Sequence, residues 1–154
     1  MAILIYGMIQ EITEIEGSTL MKSPSATLNA LVDRLIPPDD APGGAEAGVA
    51  EYIVRQLAGD LGDHAALYQA GLAGLDAEAQ AITGHSFASL APATQDELLR
   101  RITHGETSTT WETDPATFLG IAAEHAAEGY YSDPGNGGNI GSVSWAMIGF
   151  RVTG

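Results

Sequence analysis

His125 stands between Glu124 and Glu128 in a stretch of helical periodicity. An imidazole flanked by carboxylates could move protons near neutral pH, as a small enzyme's acid and base would. The same residue types serve carboxylate di-metal bundles, which take Glu-x-x-His from each of two helices. Here the order is reversed, His125 to Glu128, and no second copy follows. The other reading of His125 is a hydrogen-bonded histidine in the core. His64, His85 and His104 sit at helix ends and loops without clustering, and no serine lies in a G-x-S-x-G elbow. The run Gly135 to Gly141, GNGGNIG, departs from the dinucleotide fingerprint because Ile140 takes the third glycine's place. No Walker lysine follows it, and the alternating aspartates of a calcium loop are missing. The residues alone therefore name no catalytic, cofactor-binding or metal-binding set.

The elements that must position these residues read as helices. Ser23-Pro24 is a cap followed by a proline suited to a first helical position. Leu28, Leu31, Val32, Leu35 and Ile36 recur at helical spacing, and Pro37-Pro38 ends the run. The loop Pro37 to Gly44 holds Asp39 and Asp40 without further spaced oxygen ligands and reads as a solvated connection. A second helix is expected over about Ala45 to Ala58, with Val49, Tyr52, Ile53 and Leu57 inward. A third starts near Asp60 and carries the seam Leu61, Ala65, Tyr68, Leu72, Leu75, Ala79 and Ile82 to a stop at Thr83-Gly84. Gly71 and Gly74 interrupt that seam. They mark a kink, with Asp76 capping a restarted helix, or a place of close helix contact. Pro92 opens a fourth helix with Leu98, Leu99 and Ile102 on one face, and a polar loop from His104 to Asp114 holds Trp111. Asp114-Pro115 repeats the cap-and-proline start, and the last helix runs to about Tyr130 with Phe118, Ile121, Ala122 and His125 on one face. The expectation is an all-α single domain of about five helices over residues 23–154, ending in a glycine-rich, aromatic loop segment. Residues 1–22 form an arm. Its apolar start, Ala2 to Gln10, fits a short strand, a helix docked on the core, or a partner-facing arm.

Charge and composition narrow the partners. Six basic residues against 20 acidic ones give a net charge of −14, which argues against nucleic acid or an anionic membrane surface. It fits high solubility or a partner with a basic face. The absence of cysteine removes disulfides, thiolate nucleophiles and Cys-ligated metal centres. No basic residue precedes the apolar start and no Arg pair is present there, so the sequence as written carries no secretory or twin-arginine signal. Nine residues are too few to span a bilayer. The address expected as written is cytoplasmic, or periplasmic where a leader has been removed or a partner carries one.

The stretch Glu128 to Phe150, EGYYSDPGNGGNIGSVSWAMIGF, puts aromatic groups beside a glycine-rich loop. Rigid rings give large contact area at low entropy cost, and loops are common carriers of function. From Gly141 to Gly154 there is no acidic residue and only Arg151 is basic, unlike the acidic remainder. The segment reads as an interface or as a flap packed on its own domain.

Three blocks carry a resemblance: Leu31 to Leu57 (LVDRLIPPDDAPGGAEAGVAEYIVRQL), Phe87 to Ile102 (FASLAPATQDELLRRI), and Glu128 to Phe150. In this order they resemble the small-subunit family of gluconate 2-dehydrogenase, over roughly residues 28–150. The resemblance implies a non-catalytic partner of a large flavoprotein of the glucose–methanol–choline oxidoreductase type. That large subunit holds FAD, oxidises a sugar, glycoside or sugar acid, and passes electrons to a cytochrome or another acceptor. Glucoside 3-dehydrogenases use a similar small subunit. The small subunit binds and stabilises the large one, and in many members carries a twin-arginine leader. The residues expected at the contact are Tyr130, Tyr131, Asp133, Asn136, Asn139, Trp145, Met147 and Phe150. Ala91 departs from the Ser or Thr cap common in the family. Other readings are a free-standing helical chaperone or adaptor, and the small enzyme using His125 with Glu124 or Glu128.

Overall fold

The computed structural model describes residues 21–149. Most of the arm over residues 1–22, and Phe150, lie outside the described residues. Six α-helices follow one another: α1 Ala26–Leu35, α2 Val49–Leu57, α3 Ala65–Thr83, α4 Pro92–Thr103, α5 Pro115–Tyr131 and α6 Val143–Met147. Short 3-10 turns lie at Gly62–His64, Phe87–Ser89, Pro134–Asn136 and Ile140–Ser142. The described residues contain no strand. The all-α expectation holds, and the sixth helix is a short one inside the segment read as loop.

Helix α5 is the axis of the domain and packs against each of the other five helices. Its Phe118, Leu119, Ala122, Ala126 and Tyr130 are buried, as the periodicity requires. Helix α3 packs against it with Tyr68, Leu72, Leu75 and Ala79 inside, whereas Ile82 is left exposed in its last turn. Helix α3 runs unbroken. Gly71 faces the ring of Phe118 and Gly74 the ring of Trp111, both too near to admit a Cβ. The two glycines therefore mark close approach, not a kink. Asp76 restarts no helix. Its carboxylate accepts from the Thr27 hydroxyl at 2.6 Å and from the Phe87 N–H at 3.0 Å, tying α1 and the 87–89 turn to α3.

Three expected helix starts move. Helix α3 begins at Ala65, not near Asp60, after the 3-10 turn Gly62–His64. Ser25, not Ser23, caps α1: its hydroxyl accepts from the Leu28 N–H at 3.1 Å. Helix α2 begins at Val49, four residues later than expected. Residues 44–48 form turns instead, because Gly48 takes φ 77° and ends any helical continuity there. Ala45 N–H is satisfied by the Asp33 carboxylate at 2.9 Å. Asp114 caps α5 as expected, accepting from the Thr117 N–H at 2.8 Å. Ala91 offers α4 no side-chain cap, leaving Pro92 to set the first turn.

Candidate functional site

The C-terminal segment is hung from one buried side chain. Asn139 is fully buried at φ 49°. Its Nδ2 donates to Ser132 O at 2.9 Å, and its Oδ1 accepts from the Ser144 N–H at 2.9 Å. It thus joins the end of α5 to the start of α6. The left-handed conformation suits asparagine. Gly137 and Gly141 take positive φ in the same loop, as its glycine content predicts, and so does Ser142, at φ 57°. Serine carries no such signal, so that position was invisible in the sequence.

The loop is also pinned to α2 and the turn before it. The Ile140 N–H donates to Ala47 O at 3.0 Å. The Ile140 side chain lies where a Cβ on Gly48 would stand, at 2.5 Å from its Cδ1. Gly48 therefore has two reasons to be glycine, its φ and this contact. Arg55 donates from Nη1 to Gly135 O at 3.1 Å. Tyr130 is buried and donates its hydroxyl to Pro42 O at 2.9 Å, with Met147 Sδ 3.4 Å away. The Tyr131 ring meets the Tyr130 ring edge-on at 5.3 Å. Tyr131 and Met147 thus flank one buried tyrosine.

Five large apolar side chains are exposed among the described residues, and four of them belong to this segment: Tyr131, Ile140, Met147 and Ile148, at 53–70%. The fifth is Ile82 on α3. Of the residues expected at the contact, Tyr131, Asp133, Asn136 and Met147 are exposed, Trp145 is half-buried, and Tyr130 and Asn139 are buried as props of the fold. Ile140 and Ile148, not among the residues expected there, are exposed as well. Ile140 was read only as a substitute for a missing glycine, which hid its role as an exposed apolar group.

His125 lies in the core with a different set of neighbours. Its Nδ1 is 3.0 Å from the Tyr68 hydroxyl, and its ring stacks on that of Tyr68. The His64 ring meets it edge-on at 5.1 Å. Burial lowers the His125 pKa from its ordinary value, and the nearby Glu128 charge offsets this only in part. Burial raises the Tyr68 hydroxyl in turn. A neutral imidazole sharing a hydrogen bond with a protonated phenol holds α3 to α5. Glu124 and Glu128 are exposed, and the His125 hydrogen bond goes to Tyr68. No group of three His, Cys, Asp or Glu residues placed to hold a metal occurs among the described residues.

The sequence reading missed Glu78. It is fully buried in α3 and gathers the loop before α5. Its carboxylate accepts from the N–H of Ser108, from the N–H and hydroxyl of Thr109, and from the Trp111 indole. Burial alone would raise its pKa, but these donors outweigh burial and hold it below the ordinary value. Its position next to Ala79 on the apolar seam was the available signal.

Residues 22–154 match the family model of gluconate 2-dehydrogenase subunit 3. The chain belongs to that family. No curated protein and no solved structure matches it. Membership makes the chain a small subunit of a multi-subunit dehydrogenase complex, and so places a partner chain beside it. A subunit 3 needs a surface for that partner, and among the described residues the segment from Tyr131 to Ile148 holds four of the five exposed large apolar groups.

Proposed function

We propose that this chain is the non-catalytic small subunit of an FAD-dependent sugar, glucoside or sugar-acid dehydrogenase, and that it binds and stabilises the catalytic flavoprotein. FAD and the oxidation belong to the partner, a large subunit of the glucose–methanol–choline type, which hands electrons to a cytochrome or another acceptor. The observation that carries this reading is the exposure of Tyr131, Ile140, Met147 and Ile148 on a segment hydrogen-bonded to the domain, within a family of dehydrogenase subunits. Apolar anchors held in place before binding lose little entropy on docking. A partner that binds only the folded flavoprotein stabilises it by mass action. The −14 charge adds steering toward a basic face.

The test is co-expression of this chain, tagged, with its neighbouring open reading frames, any flavoprotein of the glucose–methanol–choline type among them being the candidate partner. A yellow complex of fixed stoichiometry is expected, with the flavoprotein insoluble or short-lived when expressed alone. A soluble, active flavoprotein that ignores the tagged chain would overturn the reading.

A further inference from the structure

The chain holds three asparagines, and the fold gives each a different chemical setting. Asn29 lies inside α1, where its Nδ2 donates to Ser25 O at 3.2 Å. Asn139 is fully buried with both ends of its amide engaged, and the Ile140 N–H that follows it donates to Ala47 O at 3.0 Å. Asn136 differs on each count. It is exposed at the end of the Pro134–Asn136 turn, and its side-chain amide makes no hydrogen bond among the described residues.

Gly137 follows Asn136. An asparagine is thermally labile because the next residue's nitrogen can attack its side-chain carbonyl carbon, and a glycine leaves that nitrogen unshielded. Gly137 takes φ 96°. Its N–H donates to Pro134 O at 3.3 Å, beyond the ~2.7–3.2 Å usual for such bonds. Freeing this nitrogen therefore breaks one long hydrogen bond at the surface. Freeing the Ile140 nitrogen breaks a shorter bond beside a buried asparagine, and freeing that of Ala30 opens a helical turn.

We propose that Asn136 is a self-modification site, at which the free chain converts its own side-chain amide to a carboxylate with water as the co-reactant. The Gly137 nitrogen gives its proton to solvent and bonds to the Asn136 Cγ. The Cγ–Nδ2 bond breaks and ammonia leaves, closing a cyclic imide. Water then opens the imide without any oxidation or reduction. Opening between Cγ and the Gly137 nitrogen gives aspartate. Opening between the Asn136 backbone carbonyl carbon and that nitrogen gives isoaspartate, with the chain rerouted through Cγ and one methylene longer.

Either product adds one negative charge to the −14 of the chain. The charge arises beside Arg55, whose Nη1 donates to Gly135 O and whose Cζ lies 3.4 Å from where a Cβ on Gly137 would stand. Isoaspartate also lengthens the loop that the hydrogen bond from Asn139 to Ser132 closes. The segment that displays Tyr131 and Met147 is altered in place, whatever the identity of its partner.

The test needs only the full chain, held at mildly alkaline pH and sampled by isoelectric focusing and by mass mapping of its peptides. An acidic band should grow with time. The mass gain from amide to acid should appear at Asn136 at least tenfold faster than at Asn29 or Asn139, with aspartate and isoaspartate both present. Asn136→Gln changes an exposed, unbonded side chain, so it should fold as wild type and lose the band. Gly137→Ala should slow the conversion at least tenfold; where its positive φ keeps that variant from folding, Asn136→Gln still carries the test. A folded chain that leaves Asn136 intact while its own excised peptide reacts would overturn the proposal, since the turn would then protect the amide. Equal conversion at all three asparagines, or an acidic band that persists in Asn136→Gln, would overturn it as well.

Discussion

Two loops of this protein are built on the same device and put to opposite uses. The loop from His104 to Asp114 is gathered by one buried side chain, Glu78, and the segment after α5 by another, Asn139. Each satisfies backbone groups that would otherwise be left without partners. They differ in where the apolar side chains go. The first loop turns Trp111 inward onto Gly74 and the Glu78 carboxylate. The second leaves Tyr131, Ile140, Met147 and Ile148 outside. One loop completes the core and the other displays a surface. Anchoring a loop from within is therefore not a mark of function; what distinguishes the second loop is an exposed apolar set on a fixed frame.

The largest way to break this comparison is Glu78→Ala. It removes the acceptor of several loop donors, and unfolding by denaturant should show a loss of about 3 kcal/mol. The variant that remains folded should still hold the flavoprotein normally. Asn139→Ala comes next, at about 2 kcal/mol, from two lost hydrogen bonds and a left-handed backbone that alanine resists. Unlike the first variant, it should also weaken the complex, because the surface loses its frame. A Glu78→Ala protein that unfolds no earlier than wild type would show that the first loop stands without its carboxylate.

Met147→Glu separates display from stability. Its side chain is 55% exposed, so the free subunit should change by under ~0.5 kcal/mol. The complex should weaken at least tenfold, or about 1.4 kcal/mol, in a titration followed by co-elution. An unaltered complex would remove Met147 from the interface.

The smallest effect belongs to neither loop. The His125 imidazole holds a proton less tightly when folded, its pKa lying below the ordinary 6.5. Between that folded value and 6.5 the unfolded state binds more protons, so stability is fully present above 6.5 and declines as pH falls through this window. His125→Gln should flatten that slope in urea melts between pH 5 and 7, while the decline at still lower pH, driven by carboxylates such as Glu78 and Asp114, remains. An unchanged slope would mean that His125 is not the titrating group.

The helices were legible because apolar spacing and proline-flanked caps are local signals. The inward faces of α1, α3, α4 and α5 follow from Leu28, Tyr68, Leu98 and Phe118 at helical intervals. The late start of α2 was not legible, since Gly48 answers to Ile140, far along the chain. Glu78 was hidden for a like reason: a carboxylate on an apolar seam makes sense only once Ser108, Thr109 and Trp111 are folded against it. Composition drew attention to the C-terminal segment, but it could not divide props from displayed groups. Tyr130 and Tyr131 are neighbours in sequence, yet one is 2% and the other 56% exposed. Helix rotation by about 100° per residue decides that, together with the Pro42 carbonyl that receives the buried hydroxyl.

The central claim is that the displayed segment, and not the closed loop, meets the flavoprotein. Hydrogen–deuterium exchange of this chain, free and in complex, tests it most directly. The account predicts new protection from Tyr131 to Ile148 on binding, with residues 104–114 unchanged. Protection confined to residues 104–114, or to neither region, would contradict it.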